Sequence, residues 1–416
     1  MKTKNNVRQS EGEEKRICFF GHFGTLNIGN ESTLQAILYH LHRLLPKAEV
    51  ACICTCPEVL AADRKIRTFP IVGMIVRRRN LRNPLAKLLR KIFIGMPSEL
   101  CRWLNAFRTL RGTDMLIIPG TGLLTDAFGL EGWGPYNLFK WTLMAKLGRC
   151  KVVFASVGAG PINTLLGKFF VKTALSLADF RSFRDQSSLQ CIKGIGLRAN
   201  NDLTYPDLVF SLPDTALPAY AGNGKCKRIV ALGLMEYAGR YSTEIPSSQT
   251  HRPYLEILLV FVKWLLDHNY DIRLLIGDQG DTSVTREFKH LLKARLGVYD
   301  ENRIIDQPAL SVEQLLPQIA EADIVVATRF HNVLLALLLN KPVIAISFHH
   351  KCESLMSEMG LAEYCHDINH INASRLIEQF QDVEKNTEKL KRGIRQRVEQ
   401  SRKALDEQYD LIFKGL

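Results

Sequence analysis

Short apolar runs alternate along this chain with longer stretches in which apolar residues recur every three or four positions. Arg16–Gly21, Val50–Thr55, Asp114–Pro119, Lys151–Val157 and Asp179–Phe183 are runs of strand length, most of them continuous rather than alternating. Continuous runs suit strands buried on both faces, as in a parallel sheet covered by helices. Glu31–Leu45 reads as an amphipathic helix between the first two, and Arg64–Asn80 fits neither period. Around 213–227 the chain turns to Pro, Ala, Gly and Asn, which reads as a linker. A second alternation follows. Strands are predicted at Arg228–Leu234, Asp271–Ile276, Arg303–Asp306, Asp323–Thr328 and Pro342–Ser347. Helices are predicted between them at Pro253–His268, Thr282–Leu296 and His331–Leu339. Ser311 with Gln314 three residues on marks the capped start of another helix. Val383–Phe413 reads as one long charged helix.

Two blocks of strand–helix alternation predict an α/β fold, with two Rossmann-like domains facing each other across a cleft. The expected divisions are a polar, disordered tail over 1–15, an N-terminal domain over 16–215, a C-terminal domain over 226–382 and a terminal helix over 383–416. A length of 416 residues supports two domains, and 46% apolar residues exclude a disordered chain. Ten cysteines, none in a Cys-x-x-Cys pair, are too few for a disulfide scaffold and lack zinc-ribbon spacing. Cys52, Cys54 and Cys56 stand at period 2, as on one face of a buried strand. The start is polar, and no apolar window of about 18 residues occurs, so a cytoplasmic protein is expected.

Charge sharpens the picture in one place. The net charge is +13, and residues 64–111 hold 13 Lys and Arg against a single acid, Glu99. Leucines and aromatics are interleaved there, including Leu88, Phe93, Leu100 and Trp103. This pattern suits peripheral docking on an anionic membrane surface at the inner face, with a plain solvated face as the alternative. RNA-recognition and zinc-finger signatures are lacking, so nucleic acid is not an expected partner.

Candidate chemistry gathers where the predicted strands end. Gly21–Glu31 reads Gly-His-Phe-Gly-Thr-Leu-Asn-Ile-Gly-Asn-Glu, placing Gly24, Asn27 and Gly29 before a helix that Asn30 is expected to cap. Small residues let a ligand approach the backbone, and a helix N-terminus favours phosphate or carboxylate. Gly120 and Gly122 follow the next central strand, and Gly158 and Gly160 the one after. Arg184, beside Asp185, ends another strand within reach of that mouth. The most informative segment is Thr328-Arg329-Phe330-His331, with Phe348-His349-His350-Lys351 after the next strand. Arg329 offers a planar fork for a carboxylate or phosphate, and His331 can carry protons near neutral pH. The bland readings are tight turns, a surface Arg184–Asp185 pair and a structural histidine. His40/His42 and His349/His350 lack a third ligand at metal spacing, so no metal site is expected.

Taken in order, Gly24–Glu31, Gly120–Leu124, Arg184–Ser187 and Thr328–Lys351 resemble the polysaccharide pyruvyl transferase family. The resemblance runs from Cys18 to Asp367. It implies a GT-B-like fold, with the N-terminal domain on the acceptor side and the C-terminal domain on the donor side, and phosphoenolpyruvate as donor substrate with no further cofactor. It implies a glycan diol as acceptor, on an exopolysaccharide or its lipid-linked precursor, joined to pyruvate as a ketal. It also implies that Arg329 and His331 touch the donor and act in catalysis, and that Arg184 binds the donor's phosphate or carboxylate. Asn30 stands where the family usually has Asp, and Thr121 replaces a glycine. A donor with two anionic groups on three carbons needs several fixed cations, which Arg184, Arg329 and Lys351 would supply. His331 is the candidate acid or base. Two other classes fit the residues. One is a GT-B nucleotide-sugar glycosyltransferase, using Asp278 or Glu353 for ribose. The other is a non-catalytic protein binding anionic surfaces through 64–111.

Overall fold

The structure is a computed structural model that describes residues 14–64, 66–73, 91–126, 134–199, 202–218, 228–236, 252–296 and 300–414. The tail over 1–13, the basic residues 74–90 and the linker stretch 219–227 lie outside the described residues. The first sheet contains β1 (Arg16–Gly21), β2 (Glu49–Cys54), β3 (Arg67–Pro70), β4 (Met115–Pro119), β5 (Lys151–Val157), β6 (Phe180–Phe183) and β7 (Leu203–Thr204). Their order is β3-β2-β1-β4-β5-β6-β7, all parallel. The second sheet contains β8 (Ile229–Gly233), β9 (Asp271–Leu275), β10 (Ile304–Asp306), β11 (Ile324–Ala327), β12 (Val343–Ser347) and β13 (Cys365–Asp367). Its order is β10-β9-β8-β11-β12-β13, again all parallel.

Continuous apolar runs became strands buried on both faces, as β4, β8 and β12 show along their whole lengths. Cys52 and Cys54 are buried on β2, while Cys56 lies just past it. The short edge strands β3, β7 and β13 are absent from the sequence reading, because runs of two to four residues carry too little periodicity. The first helix, α1 (Ile28–Leu44), starts three residues earlier than expected. Asn27, not Asn30, caps it by accepting the Asn30 N–H at 3.2 Å. Ser311 caps the helix Val312–Ala320 as expected, and Gln314 reaches back to the Leu310 N–H at 2.8 Å.

The expected single C-terminal helix is two, Ala373–Lys385 and Thr387–Phe413, broken at Asn386. The second crosses back to the first sheet. Gln408, fully buried, donates to Ser182 Oγ at 2.6 Å and accepts from Ser156 Oγ at 3.1 Å. Tyr409 pairs with Ser211 Oγ at 2.8 Å and stacks on His40. This helix ties the C-terminal half to the N-terminal sheet. Among the described residues no helix is long and apolar enough to cross a membrane.

Candidate active site

In each sheet the strand order reverses once, between β1 and β4 and between β8 and β11. Such switch points leave a crevice at the carboxyl ends of the strands. Here the two crevices face each other. A cavity of about 200 Å³ lies between them. Asn27, Asn30, Gly122 and Arg184 line it from one side, and Gly277, Thr328–His331, Phe348, His349 and Lys351 from the other. The halves touch directly, since Asn27 Nδ2 donates to Asp278 Oδ2 at 2.8 Å. One side chain therefore caps α1 and bridges the cleft.

Arg184 leaves β6 with only 7% of its surface exposed. Its Nη1 donates to Asp207 at 3.0 Å, and its guanidinium lies 4.7 Å from the Phe330 ring centroid on the opposite half. Gly158 makes room for it, because a Cβ there would sit 2.8 Å from Nη2. Nε and Nη2 are buried without a hydrogen-bond partner among the described residues. Two orphaned N–H groups on a buried cation are costly until an anion accepts them. The Arg184–Asp185 pair is thus not a surface pair: both residues are buried, with 3.6 Å between Nε and the carboxylate. Burial works against the Asp185 charge, but Arg184 and hydrogen bonds from Ser187 and Ser188 hold its pKa below the usual range.

His331 lies across from Gly29. A Cβ on Gly29 would come within 2.0 Å of the imidazole Cε1 and Nδ1, so the glycine of α1 is the seat of this ring. Burial pushes the His331 pKa down to about 4. Asp207 pulls it up, and Arg184, Lys351 and Arg329 push it further down. The ring is neutral at pH 7. Lys351 approaches Gly122, where a Cβ would be 3.2 Å from Nζ. Burial and Arg184 lower its pKa to about 8, against the pull of Asp185 and Asp207, so it stays mostly protonated at pH 7.

Arg329 departs from the expectation of a free fork. Its Nε and Nη2 donate to the two oxygens of Asp281 at 2.8 and 2.5 Å. Asp281 is fully buried and also accepts the Glu236 N–H at 3.0 Å. Burial raises the Asp281 pKa, with Arg329 opposing. Arg329 therefore lines the cavity with its fork already filled. Asp207, Asp281 and Phe330 are the residues that sequence reasoning missed. The run Gly277-Asp-Gln-Gly-Asp281 after β9 is a fourth glycine-rich turn and carried a usable signal. Asp207 carried none.

The structure gathers Asn27, Gly29, Gly122, Gly158, Arg184, Arg329, His331 and Lys351 around the cleft. It does not bring Gly120 or Gly160 there, and Gly24 lines a separate cavity between the halves, with Glu31 on its own side and Leu310–Glu313 on the other. Gly24 backs on Cys56, Gly120 on the Ser156 carbonyl and Gly160 on Cys191. Asp278 is held by Asn27 and the Gly280 N–H, and Glu353 is exposed, accepting from Ser347 Oγ. Among the described residues no group of three or more His, Cys, Asp or Glu side chains is placed to hold a metal ion.

Residues 27–350 match the family profile described as polysaccharide pyruvyl transferase. The chain belongs to the polysaccharide pyruvyl transferase family. This pyruvyl transferase family member is a transferase of polysaccharide biosynthesis by that membership, and the match spans the cleft from Asn27 to His350. It is similar to the amylovoran biosynthesis protein AmsJ of Erwinia amylovora, with 21% identity over 287 residues, 66% of this chain and 68% of that protein. Its fold is that of GT-B enzymes. The MurG structure from Acinetobacter baumannii superposes with a TM-score of 0.53 at 13% identity, covering 96% of this chain and 99% of that one. The UDP-GlcNAc 2-epimerase from Methanocaldococcus jannaschii gives a TM-score of 0.58 at 10% identity, covering 88% and 92%.

Proposed function

We propose that this protein transfers the pyruvyl group of phosphoenolpyruvate onto a sugar diol of a polysaccharide or its lipid-linked precursor, forming a ketal. The observation that carries this reading is the pair of orphaned Arg184 N–H groups beside the Lys351 ammonium in a cavity of about 200 Å³. That space suits a three-carbon phosphate better than a nucleotide sugar, since drug-sized ligands use roughly 300–1,000 Å³. Family membership supports the same chemistry.

The residues divide the work by charge state. Arg184 and Lys351 hold the phosphate and carboxylate, and the Phe330 ring covers one face of the guanidinium. Lys351, protonated at pH 7, delivers a proton to the methylene carbon, which becomes the methyl group. The double bond is consumed and C2 turns electrophilic. His331, neutral at pH 7, takes the proton of the acceptor hydroxyl as its oxygen bonds to C2. The C2–phosphate bond then breaks, the second hydroxyl closes the ketal, and its proton leaves with phosphate. Environments that push two pKa values apart assign acid and base. A bound trianionic donor raises both values.

Ligand-induced thermal shift tests the donor. Stabilisation by phosphoenolpyruvate and not by UDP- or GDP-sugars supports the reading. Stabilisation by nucleotide sugars alone moves the protein to the glycosyltransferase class. The added pyruvyl mass on a lipid-linked glycan completes the test.

A further inference from the structure

The N-terminal sheet is covered on one face by α3 (Met96–Leu110), α4 (Gly134–Leu147) and α5 (Leu165–Ser176), counting Pro57–Arg64 as α2. An aromatic seam joins them into one layer, with Trp103 6.1 Å from Phe139 and Phe139 5.4 Å from Phe170. α3 runs into β4 and α5 into β6 through short loops, so both helices lie antiparallel to the strands. Their first turns therefore stand at the carboxyl rim of the sheet, beside the cleft.

That rim is apolar and exposed. Phe93 in the turn Lys91–Gly95 that leads into α3, Met96 and Leu100 at the start of α3, and Leu165, Leu166 and Phe169 at the start of α5 are open to solvent, Leu165 by 84% and Phe93 by 71%. The outward face of α3 runs Pro97, Leu100, Cys101, Leu104, Asn105, Arg108, apolar at the cleft end and polar at the far end. A merely solvated face would resemble that of the helix Thr387–Phe413, which shows Arg392, Arg395 and Glu399.

Charge selects the occupant. The segment 64–111 holds 13 Lys and Arg and one acid. That acid, Glu99, is engaged by Arg102 at 2.7 Å, Tyr136 at 2.7 Å and Lys140 at 3.5 Å. α5 adds Lys168 and Lys172, and the acid at its first turn, Asp126, is engaged by the Asn163 and Thr164 N–H groups and the Thr164 hydroxyl. A second copy docked face to face would set like charge against like, whereas an anionic bilayer meets both the apolar rim and the net positive charge of the chain segment that leads into it.

We propose that this rim is an interfacial docking surface for an anionic lipid bilayer. Phe93, Leu100, Leu165 and Leu166 enter the headgroup boundary, and the cleft mouth faces acceptors held in that surface. The proposal rests on the pyruvyl transfer reading only for the lipid-linked form of the acceptor.

Co-sedimentation with phosphatidylglycerol–phosphatidylcholine vesicles tests it, alongside phosphatidylcholine alone, at low and high salt. Binding to the anionic vesicles at low salt should fall at least about tenfold at high salt or without phosphatidylglycerol. The variant Phe93→Asp, Leu100→Asp, Leu165→Asp, Leu166→Asp should lose binding about tenfold with an unchanged unfolding midpoint, because these side chains are exposed. Its turnover on a water-soluble diol should equal that of the parent. An environment-sensitive dye on exposed Cys101 should shift to the blue with anionic vesicles in the otherwise unchanged protein. The proposal is overturned if the parent ignores anionic vesicles at low salt, or if the variant binds them equally. It is also overturned if the substitutions abolish a concentration-dependent dimer while vesicle binding is absent. Failure of phosphoenolpyruvate turnover with vesicle binding intact would strike the pyruvyl transfer reading and leave this surface standing.

Discussion

Gly29 is the second residue of α1, a position where alanine ordinarily stabilises a helix by up to about 1 kcal/mol. Here the added Cβ would lie 2.0 Å from two atoms of the His331 ring and 2.4 Å from a third. Carbon atoms in contact sit about 3.5–4.0 Å apart, so the imidazole or the facing half of the molecule must retreat by roughly 1.5 Å. A misplacement of about 1 Å can cost about 10²-fold in rate. Gly29→Ala should therefore lower kcat by about 10²-fold or more, within the range of about 10²–10⁴ expected for His331→Ala. The assay is phosphate release from phosphoenolpyruvate with a soluble diol, run beside thermal unfolding. Gly393→Ala is the control, since it lies within the terminal helix with open space around it. It should raise stability by a few tenths to about 1 kcal/mol and leave turnover alone. If Gly29→Ala turns over like the parent and gains stability as Gly393→Ala does, the seating of His331 against Gly29 is wrong.

Two further outcomes follow from the charge arrangement. Arg329→Ala leaves the fully buried Asp281 carboxylate unpaired; with Arg329 itself 28% exposed, the cost should be about 3 kcal/mol, the low end for a broken buried pair. Arg329→Ala with Asp281→Ala should recover part of that loss in urea unfolding, and a single variant as stable as the parent would sink the pairing. The profile of kcat/KM against pH should rise with His331 deprotonation near 4 and fall with Lys351 deprotonation near 8, after correction for the donor's own titration. His331→Ala should remove the acid limb and Lys351→Met the alkaline limb; limbs that survive both changes belong to other groups. The same depressed His331 value gives stability that is present above the ordinary 6.5 and drains as pH falls through about 4.

Local pattern determined much of this protein. Short apolar runs with no alternation suit strands covered on both faces, so the central strands of both parallel sheets were readable before any contact was known. The Ser311 cap was readable because its bonds close within a few residues. The glycine turns and the Arg-x-His segment were readable as strand ends, which is where an α/β sheet places ligands. Which of those turns share one cleft was not local. Gly29 and His331 are far apart in the chain and meet only because two sheets present their switch points to each other. Arg329 looked free because Asp281 sits on another strand's loop, 48 residues away. Burial then moved both titrations downward, His331 to about 4 and Lys351 to about 8. Desolvation depends on everything packed around a group, and only the folded chain supplies that surrounding.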